Sequence, residues 1–507
     1  MPSCRTILPI TVEADPTDAV TTAHAGLLAY LELWCVLGMP QHLDRHLRLH
    51  GRQGWLTRQL VQALLLLNLL GGESVTDIDQ LEDDAGLCAL ARVAEVFGLN
   101  RQEKRDLARR FRGGRTRTFP AATQLYTFLE QFHHAAEEEK RQDGVAFIPA
   151  PLSCLTALQQ WNGLLIAWLQ ARRPQTTATL DVDATLCETT IQTAQFCYKG
   201  YRAYQPLNVY WAEQQVVLHS EFRDGNVPAG FELRRVVAES LTHLPPGVQT
   251  VSLRSDSAAY ETEVLFWCER AREHPQYGRI LFTISAEITQ EFRKAVAAVT
   301  EWTPEYRTVK GQRVRTGREY AEVVYVPNSH AAQSDMREPF RYLAIREKLR
   351  DQLTLLEVGD QKTLPFPTWE TGGVLYKLSG IVSNRRDEDP AELIAWHYGR
   401  CGKSEEAHAI MKDDFAGGRF PSQLFGANAA WWALMLLAMN LQQVMQRTVL
   451  GQDWRGKRMK AVRFGVITRA GRLLCHARQQ VLRVSQAFAG SLQAWRATIH
   501  GLAPVPV

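Results

Sequence analysis

The sequence has 507 residues, which is enough for two to four domains that each bury a core of their own. Its 45% hydrophobic and 22% charged residues are typical of a soluble globular protein. The net charge of +4 is too small for the protein as a whole to attract a polyanion, so any basic surface has to be local. Nine scattered cysteines without a CxxC pair argue against both a zinc site and a disulfide framework.

The start of the chain, MPSCRTILPITVEADP, lacks the basic residues and the apolar run of a secretory signal. The longest apolar runs, LVQALLLLNLL and AAWWALMLLAM, are too short to span a bilayer and are typical of buried helices. We therefore expect a cytoplasmic protein that does not contact a membrane.

Residues 1–150 are predicted to be helical, because apolar residues recur at helical spacing through LLAYLELWCVLG, TRQLVQALLLLNLL and LCALARVAEVFG. A basic stretch over residues 101–132 contains Arg115 and Arg117 and leads into a short amphipathic helix near Pro120. Arginines that neutralise phosphates beside a helix that enters a groove suit DNA contact. A solvated pair of charged helices would give the same pattern.

Residues 151–289 are predicted to form the first part of an α/β domain. The runs TTATLDVDA, LNVYWAEQ, QVVLHSEFRDG, VQTVSLRSD and GRILFTIS are β-rich and of strand length, and helical periodicity separates the later ones. Three strands followed by alternating helices and strands indicate a mixed sheet. Residues 290–370 carry further strands and basic loops, which is typical of a β-rich insertion.

Residues 371–446 are predicted to complete the α/β domain. VLYKLSGIVSN resumes a core strand, and residues 389–415 favour one long helix with Asp389 as its N-cap and Pro390 at its first position. A second apolar helix covers 427–446. We predict a basic helical tail over 447–507, in which the segment 446–483 holds ten basic residues, including Arg455, Lys457 and Arg458, against Asp453 alone. Such an excess favours phosphate binding, although AVRFGVITRAGRLL within it is also amphipathic and should pack.

Carboxylates stand at three places in this predicted domain. Asp181 and Asp183 lie two residues apart on a strand and therefore share one face. They repel each other unless they are hydrogen-bonded, exposed or holding a cation. Asp256 follows a strand end, where open α/β sheets bind ligands, although it also suits a helix N-cap.

The third place is the long helix. Tyr398, Glu405 and Lys412 are spaced by seven residues, so one uninterrupted helix would carry them on one face, as a merely solvated helix also would. With Asp183 and Asp256, Glu405 would supply hard oxygen ligands from three elements. Proteins hold Mg²⁺ in this way for displacement at a phosphodiester.

Several motifs occur in a fixed order along nearly the whole chain: LDVDAT, YKGYRAYQPL, FRDGN, LRSDSAAY, the Tyr-Glu-Lys spacing at 398–412, CGKSEEAHAIMKDDFAGG and FGANAAWW. In these motifs the chain resembles bacterial insertion-sequence transposases of the DDE type, most closely the insertion-sequence-1380 family. The resemblance implies a ribonuclease-H-like catalytic domain with a β-rich insertion, an N-terminal helical DNA-binding region, and cut-and-paste movement of DNA bounded by terminal inverted repeats.

By position, the resemblance implies that Asp183, Asp256 and Glu405 are catalytic and hold two Mg²⁺ ions, for which Mn²⁺ can substitute, with Asp181 as a candidate secondary acid. The family signature has an arginine where this chain has Cys401, so either the helix is irregular there or another basic residue takes its place. The residues expected to contact DNA are Tyr398, Lys412, Arg400, Lys403, Arg254, Arg115, Arg117, Arg455, Lys457 and Arg458.

The resemblance also implies the partners, which are double-stranded DNA carrying the terminal repeats, target DNA, and a second copy of the chain in a homodimer that joins two ends. The implied location is the bacterial nucleoid. Two alternatives stay open: a transposase-derived DNA-binding protein without catalysis, and a ribonuclease-H-like endonuclease. The intact acidic triad argues against the first, and the long N-terminal region and the insertion argue against the second.

Overall fold

The structure is a computed structural model that describes residues 20–111, 114–309, 311–331, 333, 338–349, 366–400, 403–476 and 479–502. Its helices are α1 (Leu27–Val36), α2 (Met39–His46), α3 (Thr57–Leu70), α4 (Ile78–Glu82), α5 (Ala85–Glu95), α6 (Arg101–Arg109), α7 (Ala122–Glu130), α8 (Ala135–Glu138), α9 (Ser153–Arg172), α10 (Leu233–Thr242), α11 (Thr262–Glu269), α12 (Gln290–Ala297), α13 (Asn328–Ala331), α14 (Pro390–Tyr398), α15 (Lys403–Ala409), α16 (Phe425–Thr448), α17 (Met459–Val462) and α18 (Gln486–Gly501).

The strands are β1 (Val20–Thr22), β2 (Thr177–Ala184), β3 (Cys187–Glu188), β4 (Ala203–Tyr204), β5 (Leu207–Trp211), β6 (Val216–Glu221), β7 (Thr250–Ser255), β8 (Leu281–Ala286), β9 (Thr303–Val309), β10 (Gln312–Val323), β11 (Arg341–Lys348), β12 (Thr368–Thr371), β13 (Val374–Ser383), β14 (Gly471–His476) and β15 (Gln479–Val484). None of the helices in the described ranges is long and apolar enough to cross a membrane.

The chain folds into two compact units. The first comprises the described residues of Met1–Phe128 and Val444–Val507, and the second is Leu129–Gln443. This division differs from the five predicted segments, because both ends of the chain build the first unit. Strand β1 pairs with β14, with Val20 opposite Leu473, and Arg496 of α18 forms a 2.6 Å ion pair with Glu32 of α1.

The first unit is mostly helical, as predicted, but it also contains a three-stranded antiparallel sheet in the order β1-β14-β15. The expectation of an all-helical N-terminal region and a helical tail is therefore wrong at β1 and at the β14–β15 hairpin. The hairpin forms because Leu473 is buried on one face while its partners β1 and β15 satisfy the backbone of β14 on both sides.

The second unit is built on a mixed sheet, which the described residues show as ten strands in the order β6-β5-β2-β7-β8-β13-β11-β10-β9, with β12 beside β13. Strands β2, β7 and β8 are parallel to one another, and the other pairs are antiparallel. The predicted mixed α/β architecture is confirmed. The strands of the predicted insertion extend the same sheet, since β13 joins β8 to β11.

Residues 389–415 do not form one helix. Helix α14 begins as predicted, with the Asp389 carboxylate accepting hydrogen bonds from the Ala391 and Glu392 amides, but it ends at Tyr398. Gly399 and Arg400 form a turn, and helical structure resumes in α15 and continues as a π-helical turn, Ile410–Asp414. Glycines at 399 and 402 weaken the helix here. The spacing of seven therefore does not place the signature residues on one helical face.

Candidate active site

Two carboxylates lie side by side where the parallel strands β2 and β7 end. The register pairs Asp181 with Arg254 and Val182 with Ser255, so the next positions along the two strands are Asp183 and Asp256. Neighbouring strands lie about 4.8 Å apart, which makes these residues neighbours at the carboxyl edge of the sheet. The Asp183 side chain is 22% exposed, and Asp256 is half-buried.

Asp256 also caps the short 3₁₀ helix that follows it. Its Oδ1 accepts a hydrogen bond of 3.0 Å from the Ala258 amide. The capping interpretation from the sequence is thus confirmed, and it is compatible with a metal-binding role because a cap engages one carboxylate oxygen and fixes the direction of the other.

Arg400 brings a positive charge to this edge. Its Nη2 lies 3.7 Å from Oδ2 of Asp183, and Arg400 is only 8% exposed. Arg400 directly follows the last turn of α14, where Gly399 still has helical backbone angles (φ −59°, ψ −17°). The helix is interrupted after Tyr398, as one of the two explanations for the missing signature arginine expects, and the other explanation, a basic residue such as Lys403, lies outside the described side chains. Cys401 lies outside the described residues.

Helix α14 is fastened to the sheet by His397 and Trp396. The His397 ring nitrogens lie 3.0 Å from Thr283 Oγ1 and 3.2 Å from Ser285 Oγ, both on β8. Burial, together with the charges of Arg400 and Arg254, lowers the pKa of His397 to about 3, so the imidazole is neutral. These contacts fix the end of the helix from which Arg400 reaches Asp183.

Asp181 and Arg254 form a buried bidentate ion pair, with Nε–Oδ1 and Nη2–Oδ2 distances of 2.6 and 2.8 Å. The remaining Arg254 nitrogen, Nη1, donates to the Trp396 carbonyl at 2.8 Å. Burial raises the pKa of the Asp181 carboxyl, and Arg254 opposes that rise. All three guanidinium nitrogens thus have acceptors within the protein and Arg254 is 6% exposed, which contradicts the expectation that it contacts DNA.

The same pairing corrects the expectation for Asp181 as a secondary acid, because both of its oxygens accept from Arg254. Gly399 lies so close to this pair that a Cβ atom there would come within 3.1 Å of Arg254 Nη1. The sequence signals for this ion pair are the first aspartate of LDVDA and the arginine of LRSD. They show that the two residues pair only when the register of the two strands is known.

Tyr398 and Lys412 lie against different parts of the sheet. Tyr398 packs against β10 and β13, with its Oη 3.4 Å from Ser379 Oγ and Arg318 4.8 Å above its ring. Lys412 donates from Nζ to the Leu186 carbonyl at 3.4 Å, in the connection that leaves β2 just after Asp183. Lys412 thus contacts the chain three residues after Asp183, whereas Tyr398 stabilises the extended sheet.

Glu405 lies in α15, but the structure describes its backbone only, and the same is true of Lys403. Among the side chains that the structure describes, no three His, Cys, Asp or Glu residues are grouped for a metal ion. Asp183 and Asp256 offer two carboxylates at one edge, which is the hard oxygen chemistry that Mg²⁺ prefers. The two carboxylates fit the ion, which usually keeps several water ligands, and the Glu405 side chain lies outside the described residues.

The basic candidates of the first unit fall into two groups. Arg115 is structural, since it forms a 2.7 Å ion pair with Glu95 and lies 4.4 Å from the Trp55 ring. Arg117 pairs with Asp79 and is half-exposed. Arg455 and Lys457 are exposed and Arg458 is partly buried, so the segment after α16 retains basic side chains at the surface.

Comparisons with known proteins bear on the family of this chain. No curated protein matches this sequence. Among solved structures, a cryo-EM structure of the piggyBac transposase synaptic complex with hairpin DNA has a TM-score of 0.35 and 8% identity, with 96% of this chain and 86% of that chain covered. A family model described as "Transposase DDE domain group 1" matches residues 9–500. The chain therefore belongs to the DDE transposase family that this model describes.

Proposed function

We propose that this protein is an active transposase of the insertion-sequence-1380 type that cleaves DNA at terminal inverted repeats and joins the freed 3′-OH to target DNA. The observation that carries the proposal is the pair Asp183 and Asp256 on adjacent parallel strand ends, with Arg400 at Asp183. The strand order β6-β5-β2-β7-β8, with three antiparallel strands followed by two parallel ones, supports a ribonuclease-H-like core.

Asp183, Asp256 and Glu405 are the proposed ligands of two Mg²⁺ ions, with Mn²⁺ as a substitute. When bound, such ions activate the attacking oxygen and stabilise the leaving one in an in-line displacement. The attacking oxygen belongs first to water and then to the 3′-OH of the transposon end. The chain therefore needs no nucleophile of its own, which separates this reaction from those with a covalent protein–DNA intermediate.

Arg400 takes the part of the missing signature arginine in this proposal. Its guanidinium lies 3.7 Å from the Asp183 carboxylate, at the edge where the scissile phosphate would bind. The contacts of α14 with β7 and β8 hold it there through Trp396 and His397. Lys412, at the exit of β2, is the proposed second contact to the DNA backbone.

The exposed basic residues of the first unit are the proposed contacts to the terminal repeats. Arg455 and Lys457 are exposed, and they neutralise phosphates without reading sequence. Each phosphate contact adds about −0.9 to the slope of log affinity against log salt. Because two ends must meet before they are joined to a target, the proposed acting form is a homodimer on double-stranded DNA in the bacterial nucleoid.

A cleavage assay on labelled ends tests the proposal. The wild-type protein and the Asp183→Ala, Asp256→Ala and Asp181→Ala variants are incubated with Mg²⁺ and with duplexes carrying the inverted repeats that flank the coding sequence. We expect the first two variants to bind the ends without cutting them, and Asp181→Ala to retain cutting at temperatures where it is folded.

The same assay tests the two alternatives. Binding without cutting by the wild-type protein supports a catalytically silent DNA-binding protein. Equal cutting of unrelated duplexes supports a ribonuclease-H-like endonuclease.

A further inference from the structure

Two aromatic rings are exposed on the connection between β2 and β5, which forms a hairpin over residues 185–206. Phe196 and Tyr198 are 56% and 79% exposed. Cations accompany both rings: Arg202 lies 4.5 Å from the Phe196 ring, and the Lys199 ammonium lies 5.8 Å from the Tyr198 ring. Exposed aromatic side chains that are grouped together mark binding surfaces more often than isolated ones do.

The end of this hairpin that carries the rings, residues 195–202, is held in one conformation by its own backbone. The Cys197 amide donates to the Tyr201 carbonyl at 2.9 Å, and the Gly200 amide donates to the Cys197 carbonyl at 2.9 Å. Gly200 has a φ of 83°, which allows this tight turn, and Cys197 is buried. The two rings are thus presented on an ordered turn, so that binding loses little conformational entropy there.

The FRDGN motif braces the base of the same hairpin. Asp224 Oδ1 accepts from the Gln195 amide at 3.3 Å, and Oδ2 forms a 2.5 Å ion pair with Arg141. Burial raises the pKa of Asp224 to about 6, and Arg141 opposes that rise. Gly225 leaves room for the opposite strand, because a Cβ atom there would come within 2.6 Å of the Ala203 carbonyl oxygen.

The FGANAAWW motif supports the other side of this base. Asn428 donates from Nδ2 to Tyr204 Oη at 3.1 Å, and Tyr204 is fully buried among Phe222, Phe420 and Phe425. Two motifs that supply none of the carboxylates therefore share one structural task, which is to hold the hairpin rigidly on the sheet.

The hairpin also leaves the sheet beside the carboxylates. The Thr185 amide donates to the Pro206 carbonyl at 3.0 Å, and Lys412 contacts the Leu186 carbonyl, so the hairpin starts directly after Asp183. The Thr189 amide donates to the carbonyl of Arg202, so the end that carries the rings begins beside Thr189. From Asp183 to Thr189 the chain spans at most about 20 Å at ~3.3 Å per residue.

We propose that the hairpin end is a stacking site for unpaired nucleotides next to the scissile phosphate. Tyr198 and Phe196 stack on bases, and Lys199 neutralises the adjoining phosphate. This inference rests on the proposed function and adds that the DNA end is held with bases out of the duplex. Bases within a duplex already have stacked neighbours on both faces, whereas unpaired bases offer a free face to an aromatic ring. The cations beside both rings favour a nucleic acid strand over an apolar protein partner.

Binding of the full-length protein to two labelled DNAs in EDTA tests the stacking site without cleavage. One probe is a blunt duplex of about 30 base pairs, and the other carries about four unpaired thymidines at one 3′ end, a length within the range of single-strand sites. Tyr198→Ala and Phe196→Ala are each expected to weaken binding to the unpaired probe by roughly 5- to 100-fold, with binding to the blunt probe unchanged. Tyr198→Phe retains the ring and is expected to bind like the wild type.

Tyr306→Ala is the matched control. Tyr306 is 43% exposed with Arg313 4.3 Å from its ring, but it lies on β9 at the far end of the sheet order from β2. We expect this variant to bind both probes like the wild type. An equal loss in Tyr306→Ala and Tyr198→Ala, an equal loss on both probes, or no loss in Tyr198→Ala each overturns the stacking site. A change in oligomeric mass of Tyr198→Ala with unchanged binding assigns the hairpin end to a protein contact and also overturns it.

Failure of the stacking site and failure of the proposed function give different results. If the wild-type protein cuts no DNA end but Tyr198→Ala still loses the unpaired probe selectively, the stacking site stands and the cleavage proposal fails. If Asp183→Ala abolishes cutting while Tyr198→Ala binds both probes like the wild type, the cleavage proposal stands and the stacking site fails.

Discussion

Asp181 and Asp183 stand two residues apart, and we predict that their replacement by asparagine has opposite consequences. Asp181→Asn removes one partner of a buried bidentate ion pair with Arg254, in which both side chains are less than a tenth exposed. Asp183→Asn removes a carboxylate that is 22% exposed and 3.7 Å from Arg400. The first variant should therefore lose stability, and the second should lose cleavage.

The size of the stability loss follows from the charge that is left behind. Removing one partner of a buried ion pair costs about 3–5 kcal/mol, because Arg254 stays buried without its counter-ion. At ~2.1 cal/mol/K per residue, unfolding of the roughly 315 residues of Leu129–Gln443 has an entropy near 0.66 kcal/mol/K. The expected fall in Tm is then about 5–8 °C. For Asp183→Asn, a partly exposed pair at 3.7 Å is worth at most about 1 kcal/mol, or below about 2 °C.

Calorimetry measures the two Tm values, and hydrogen exchange of peptides from β2 and β7 assigns the affected transition to the second unit. A double variant, Asp181→Leu with Arg254→Met, serves as the control. It should recover part of the lost stability, because no unpaired charge remains buried. Cleavage is compared at 25 °C, where Asp183→Asn should be slower by about 10²–10³-fold or more, since the proposed loss of a metal ligand removes several kcal/mol of transition-state stabilisation.

Two outcomes would contradict these roles: an Asp181→Asn variant that does not cleave but has an unchanged Tm, or an Asp183→Asn variant with a strongly lowered Tm. Either result would mean that the register of β2 against β7 is shifted by two residues and that Asp181 faces the reacting phosphate.

Three further predictions concern other charged groups. Arg400→Gln should lower the single-turnover cleavage rate by about 10–100-fold. Arg400→Lys should lower it less, because lysine keeps a positive charge beside Asp183. Equal rates in the two variants would contradict an electrostatic role. His397 has a folded pKa of about 3, so protonation in the unfolded chain should remove stability as pH falls from 6.5 toward 3, by up to about 1.4 kcal/mol per pH unit. Urea midpoints at several pH values measure this slope, which His397→Gln should flatten. Arg463 donates to the Asn68 and Leu69 carbonyls at the end of α3, so Arg463→Ala should destabilise the first unit by about 2 kcal/mol without changing DNA affinity. Arg455 is exposed, so Arg455→Ala should lower DNA affinity without changing stability. Filter binding measures the affinities, and calorimetry measures the stabilities.

Part of the candidate site could be predicted because its signals are local. Asp389 and Pro390 mark the start of α14 since a cap and a first-turn proline act within four residues. Asp256 follows β7 because the apolar run ends there, and its capping bond is made to a residue two positions on. The place of the site at the carboxyl ends of parallel strands likewise follows from the order of strands and helices.

Other parts could not be predicted, because they depend on contacts between distant segments. Helix α14 ends at Tyr398, although the residue spacing favoured an uninterrupted helix, and the contact between Arg400 and Asp183 joins the end of α14 to a strand that lies far away in the sequence. Strand β1 pairs with β14 some 450 residues away, so that a tail predicted to be helical contributes a hairpin to the first unit. The preference of individual residues for helix or strand is weak. Burial of one face of a hairpin contributes more free energy than the difference between these preferences, so the tertiary contacts decide.

By itself, the sequence determined the alternation of strands and helices, the positions of the three acidic residues and the ordered motifs, because periodicity, caps and motif order are properties of short segments. Only the tertiary structure decided which of the charged residues form stabilising buried ion pairs and which remain at the candidate site. The register of β2 against β7 pairs Asp181 with Arg254 and leaves Asp183 beside Asp256 and Arg400. That choice depends on the register of the two strands: a shift of two residues keeps the same face but exchanges Asp181 and Asp183, and the spacing within either strand alone does not reveal it.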